Sequence, residues 1–381
     1  MADDELAAWL WLLHTPGVGR GAARRLLARL GGPQQVLWAS PAERRQAVDA
    51  ETAERLSSPP DGHDVRLAAT LAWRQAAPQR RVMVLGDGDY PPLLLNTADP
   101  PLLLYLAGNT ALLQAPALAV VGSRRPTAQG RDNARALSQA LCAQGFTIVS
   151  GLAAGIDGAA HEGALQAVAQ GAIASTIAVV GTGLDTVYPR AHAGLAARIT
   201  AQGLMVSEMP LGAPPLAAHF PQRNRLIAGL ARGTLVVEAA LLSGSLITAR
   251  MALEAGRDVL AVPGSIHSAN ARGCHALIRD GAALVEGADD VLAALGRPAS
   301  QGELALSAPA GDEPLDPSAA AATSADDAVL QALGDDPVSL DALIARCGWP
   351  APALSAHLLA LELDGVVARL PGGLYQRRHP V

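Results

Sequence analysis

VVGSR at 120–124, SGLAAGID at 150–157 and AVVGTGLD at 178–185 each place a glycine-rich turn directly behind a short apolar run. A β-branched or aliphatic run, then Gly and Ser, then an amphipathic segment is how a parallel strand hands over to a helix whose N-terminus can hold an anion. Strand-like runs at 118–121, 147–149, 176–180, 234–237 and 259–262 alternate with helical segments across residues 116–296. That rhythm predicts an α/β domain built on a doubly wound parallel sheet, with anion-holding turns at the carboxyl ends of its strands.

Working outward, residues 1–78 carry Leu, Ala and Trp at helical spacing, broken by PGVG at 16–19 and GGP at 31–33, and predict a small all-α domain. TPGVGRGAARRLL at 15–27 is similar to a helix-hairpin-helix or SAM-type unit, whose glycine turn exposes backbone N–H groups. A tight turn between two packed helices is the competing reading. Residues 79–115 form a proline-rich connector expected to pack on the core, and 297–325, rich in Ala, Ser, Pro, Gly and acid, predict a flexible linker. Over 326–381, three helical units followed by two strands around a PGG turn predict a winged helix.

Composition closes several classes of function. All 29 basic residues are arginine, so no chemistry that needs lysine is open: no Walker-type phosphate clamp, no Schiff base, no lysine general base. The three cysteines, Cys142, Cys274 and Cys347, stand far apart and suit neither a disulfide framework nor a zinc site, and no other metal or cofactor motif is present. GxSxG, HExxH and CxxC are missing, and GTGLD at 181–185 is an incomplete dinucleotide fingerprint. Asp157 and His161, at i and i+4, would share a helix face, a spacing that suits a structural pair better than a catalytic one. With an acidic start and no long uncharged apolar run, the chain is expected to be cytoplasmic, with no membrane span. The formal charge of −6 is uneven, since 116–296 hold 13 Arg against 12 acids while 297–381 hold 5 against 11. A basic patch on the central domain is therefore allowed, and the tail looks ill suited to a polyanion.

Three segments carry the candidate binding chemistry. In VVGSRRPTAQGRDNAR, backbone N–H groups of Gly122 and Ser123 with the Ser123 hydroxyl would face a phosphate, held further by the planar fork of Arg124. Glycine there would let the anion approach the backbone closely. In HFPQRNR, Phe220 beside Arg223, Asn224 and Arg225 suits an unpaired strand, with a base stacked on the ring and phosphates on the arginines. The alternative makes Phe220 a core residue and pairs the arginines with acids such as Glu238. Ser243, Gly244 and Ser245 open a helix behind VVEA, either as a cap or as donors to a second phosphate.

VGSRRPT at 121–127, SGLAAGIDGAAH at 150–161, AVVGTGLDTVYP at 178–189, FPQRNRLIAGL at 220–230, VVEAALLSGSLITA at 236–249 and AVPG at 261–264 together resemble the DNA-processing protein A family, DprA/Smf. The resemblance implies a Rossmann-like domain between the helical domain and the winged helix. It also implies a non-enzymatic, homodimeric protein that binds single-stranded DNA and helps to load RecA in natural transformation. By the same resemblance Gly122, Ser123, Arg124, Phe220, Arg223, Asn224, Arg225, Ser243, Gly244 and Ser245 are DNA-binding, and His275 and Leu284 lie where the family self-associates. Ala217 stands where many relatives have a lysine, which puts one phosphate contact in doubt. The rival class is a Rossmann-like enzyme that hydrolyses nucleoside monophosphates, typically with PGGxGT. PGGLY at 371–375 lacks the Thr and lies in the tail.

Overall fold

A run of five fully buried aliphatic residues, Ala117–Val121 (β3), is the axis around which the chain winds. A computed structural model describes residues 1–296, 325–370 and 372–378. The strands in chain order are β1 Arg80–Val84, β2 Leu103–Gly108, β3, β4 Thr147–Ser150, β5 Thr176–Val180, β6 Leu204–Ser207, β7 Gly233–Val236, β8 Asp258–Ala261 and β9 Ala283–Leu284. They form one sheet in the order β1-β2-β6-β5-β4-β3-β7-β8-β9. From β3 to β6 the chain steps outward on one side of β3, then returns to lay β7, β8 and β9 on the other. β3 and β7 are parallel neighbours, so their carboxyl ends flank the switch point where doubly wound sheets take ligands.

The parallel strands are buried on both faces, and their apolar runs are nearly continuous for that reason. One core cluster contains Val149, Val179, Leu226 and Val236, and another contains Leu118, Ile148, Ile156 and Leu235. Connecting helices, among them Ala128–Ala143, Ile156–Ala169, His219–Leu230 and Gly244–Glu254, start just beyond the strand ends.

The connector does more than pack on an edge. Its β1 and β2 extend the sheet as antiparallel strands, with Val82 opposite Tyr105 and Tyr105 opposite Ser207. Six helices precede it, from Asp3–His14 to His63–Gln75, and their core is shared with it: Leu6, Trp9 and Leu26 pack in one cluster with Val82, Val84 and Tyr105. Trp73 meets Tyr105 edge to face at 5.8 Å. The PGVG turn at 16–19 is a packing element. Val18 and Gly19 donate their N–H groups to Thr15 and Gly17 within the turn, and a Cβ on Gly17 would lie 2.7 Å from the Thr52 hydroxyl.

The expected linker, 297–325, lies outside the described residues except for Ala325, where a helix begins. Beyond it, helices Ala325–Leu333, Leu340–Cys347 and Ala351–Leu363 combine with β10 Val338–Ser339, β11 Val367–Leu370 and β12 Leu374–Arg377, paired in the order β10-β12-β11. This winged helix has its own core around Val329, Leu343, Leu358 and Tyr375. Arg346 ties it to the central domain through Gln129 at 2.9 Å and Asp132 at 3.1 Å. Among the described residues no helix is long and apolar enough to cross a membrane.

Candidate nucleic-acid interface

At the switch point the sheet's carboxyl edge opens into a cleft of about 850 Å³. Three elements build it: the turn after β3, the first turn of helix His219–Leu230, and the start of helix Gly244–Glu254.

The turn after β3 is held from below by Glu238. Its carboxylate accepts from the Thr127 N–H at 2.9 Å and from the Thr127 hydroxyl, while its carbonyl accepts the Ser123 N–H at 2.7 Å. Burial pushes this carboxyl up, and the Thr127 hydrogen bonds oppose that rise. Thr127 in turn caps helix Ala128–Ala143 by accepting from the Gly130 N–H. The Ser123 N–H is therefore spent inside the protein, and the expectation that it faces a phosphate is corrected. Its hydroxyl accepts from the Arg125 N–H at 3.1 Å and keeps its own proton to donate. The requirement for glycine at 122 also has a different cause, because a Cβ there would lie 2.7 Å from Ile156 and 2.8 Å from the Glu238 carbonyl. The turn shapes the mouth of the cleft, and Arg124 and Arg125 project exposed from it.

Arg124 lies with its guanidinium carbon 5.5 Å from the Phe220 ring centre and, among the described residues, makes no ion pair. Phe220 is half-buried and lines the cleft. Tyr188 packs against it at 5.8 Å and is itself 46% exposed. Sequence reasoning missed Tyr188. Its signal was rarity, one of four tyrosines in an aromatic-poor chain.

Helical spacing then divides the three polar residues that follow Phe220. Arg223 and Asn224, at i+3 and i+4, share its face and line the cleft. Arg223 is only 5% exposed, however, and forms the floor. It donates to the Val179 carbonyl at 2.8 Å and lies 4.0 Å from Asp157. A Cβ at position 151 would fall 1.5 Å from its guanidinium, which explains the glycine there. Asp157 accepts N–H bonds from Gly151 and Ala153, and burial raises its carboxyl against the downward pull of Arg223. Arg223 thus supplies buried positive charge beneath the cleft and sits too deep to act as a free phosphate fork.

Arg225, at i+5, points away from the cleft and is not brought to it. Its guanidinium holds Glu208 and lies 3.6 Å from Asp99, which also binds Arg20 at 2.7 Å and Arg24. This network ties the helical domain, the connector and the central domain together. The arginine pairing weighed from sequence does occur, with Glu208, Asp99 and Asp157 as partners.

Ser243 caps helix Gly244–Glu254 by accepting from the Ser245 N–H at 3.4 Å, and the two hydroxyls lie 2.7 Å apart. Gly244 is exposed at the first helical position, and all three residues line the cleft. The Ser245 N–H goes to the Ser243 hydroxyl and the Leu246 N–H to the Ser243 carbonyl, so the anion-holding reading rests here on the Gly244 N–H and the two hydroxyls. Ala217 lines the cleft and is exposed. His161 is fully buried, with Nδ1–H donating to the Thr176 hydroxyl at 2.7 Å and Nε2 accepting the Leu152 N–H at 3.3 Å. Burial pushes it down to about 3, so it stays neutral at ordinary pH. His275, half-buried, contacts the Gly264 carbonyl at 3.0 Å, and Leu284 is 48% exposed on the outermost strand.

A doubly wound sheet with an exposed arginine, a half-buried aromatic ring and a helix N-terminus around one cleft defines a protein equipped to grip a polyanion. Comparison with known proteins makes this specific. The family described as DNA recombination-mediator protein A matches residues 81–296, and the DprA winged helix domain matches 313–373. Protein Smf of Escherichia coli is 42% identical over 313 residues, 82% of this chain and 81% of the relative. The DNA processing protein DprA of Streptococcus pneumoniae is 50% identical over 207 residues, 54% of this chain and 71% of the relative. The X-ray structure of the Streptococcus pneumoniae protein superposes with a TM-score of 0.66 at 38% identity, covering 75% of this chain and 97% of that one. A Helicobacter pylori DNA processing protein A, described for its single-stranded DNA binding mode, gives 0.50 at 28% identity over 56% and 95%. The chain belongs to the DprA/Smf family of DNA recombination mediators.

Proposed function

We propose that the protein binds single-stranded DNA in this cleft and serves recombination as a non-enzymatic homodimer that helps to load RecA during natural transformation. The carrying observation is Arg124, without an ion pair among the described residues and placed over the half-exposed ring of Phe220 at the mouth of the cleft. A phosphate takes the guanidinium, and another the Gly244 N–H behind Ser243, while a base stacks on Phe220 and Tyr188. Ser123, Asn224, Ser243 and Ser245 supply polar contacts around these two anchors, and Arg223 adds field from beneath. Such a grip reads the backbone and a ring face, so it needs no particular base. The single-strand binding of the Helicobacter pylori relative supports the same ligand here.

A non-enzymatic role is supported by the cleft's acids. Among the described residues Asp157 is the one carboxylate lining it, and that group is buried and engaged with Arg223, Gly151 and Ala153, which leaves it poorly placed to activate water. His275 and Leu284 mark the proposed self-association surface.

Fluorescence anisotropy with labelled oligothymidine, against a duplex of equal length, tests the binding. Preference for the single strand, lost in Arg124→Ala, is expected, and equal binding of both forms would refute it. Incubation with nucleoside monophosphates should release no base. Pure protein added to single strands coated by a single-strand-binding protein should speed RecA filament formation.

A further inference from the structure

We propose that the strand track continues beyond the cleft into the groove between the central domain and the winged helix, which would clamp the next stretch of sugar-phosphate backbone. This rests on the cleft reading above. The groove, about 480 Å³, is lined by Arg125, Arg131 and Asn270 on one side and by Asp335, Arg346 and Arg377 on the other. Arg125 lines both the cleft and the groove, so the two are continuous.

Charge within the groove runs opposite to the tail's total. Arg346 is neutralised by Asp132 and also donates to Gln129 and the Ala332 carbonyl, which fixes the winged helix on helix Ala128–Ala143. Arg125, Arg131 and Arg377 are exposed and, among the described residues, make no ion pair. Asp335 is, among the described residues, the one acidic residue in the lining. Three guanidinium forks without an ion pair among the described residues, two from the central domain and one from the wing, make a cationic trough beside a module whose summed charge is negative. Phosphates leaving Arg124 meet Arg125 first, then Arg131 on the core side and Arg377 on the wing. Each neutralised phosphate adds about 0.7 to the salt slope of single-strand binding, so the three together add roughly 2.

The test uses the full-length protein and two labelled oligothymidines, one of about six nucleotides that the cleft alone can hold and one of about twenty. The double variant Arg131→Ala, Arg377→Ala should weaken the long strand about tenfold or more, lower its salt slope by about 1.4, and leave the short strand unchanged. Arg346→Ala, which releases the winged helix, should copy that pattern. A double variant that binds both lengths as the parent does would overturn the proposal. So would one that weakens duplex binding alone. If Arg124→Ala leaves the short strand's affinity intact, the cleft reading itself has failed. Both substituted arginines are exposed and unpaired, and an unchanged thermal midpoint confirms that folding is not the cause.

Discussion

Arg124 and Arg225 lie 101 positions apart in one arginine-rich chain, and their partners decide their roles. Arg124 makes no ion pair among the described residues and faces a ring, whereas Arg225 is committed to Glu208 and Asp99. Arg124→Ala should therefore weaken single-strand binding without loss of stability. Phe220→Ala should cost about 1 to 3 kcal/mol of stacking, a loss of roughly 5- to 150-fold in affinity, read by anisotropy with a thermal melt beside it. Ala217 offers the converse experiment. Exposed on the cleft, it can be replaced by lysine without strain, and Ala217→Lys should tighten binding and steepen the salt slope by about 0.7. An unchanged slope would place the strand elsewhere.

Two helices carry buried groups whose chemistry can be measured. Helix His219–Leu230 brings Arg223 beneath the cleft, where its removal strands Asp157 among buried atoms. Arg223→Ala should destabilise the fold by about 3 to 5 kcal/mol, seen as a lower urea midpoint, with loss of binding following the loss of structure. Helix Ile156–Ala169 carries His161, which unfolded chains protonate near 6.5 and the folded protein only near 3. The unfolded state binds the extra proton throughout that window. His161 therefore contributes its full stability above about pH 6.5, and that contribution is lost as pH falls toward 3. Asp157 and Glu238, raised by burial, act in the opposite sense, so the readout is a difference. Between pH 7 and 5 the midpoint of His161→Gln should fall less than that of the parent, and parallel declines would contradict the assignment.

At the scale of the molecule, the parallel sheet was legible because its strands, buried on both faces, leave continuous apolar runs, which in β3, β4 and β5 end in glycine. The winged helix was legible from helix lengths and turn glycines. Pairing was not. Nothing local to 79–115 says that two of its runs join the sheet antiparallel, and nothing around Glu238 says that its carbonyl takes the Ser123 N–H 115 positions away. Arg225 was separable from Phe220 only once the segment was known to be helical, since i+5 turns it off that face. Groove charge was hidden for the same reason, because a sum over 297–381 cannot show that Arg377 lines the same groove as Arg131. The proposed self-association belongs to this scale too. Leu284→Arg on the outermost strand should shift the light-scattering mass toward one chain, while an unaltered mass would move the interface away from β9.

A crystal structure of the protein with a short oligothymidine tests the central claim most directly. A phosphate within hydrogen-bonding reach of Arg124, another at the first turn behind Ser243, and a thymine stacked on Phe220 are the expected result. A strand bound elsewhere, with the cleft between Arg124 and Ser243 left to solvent, would contradict the account.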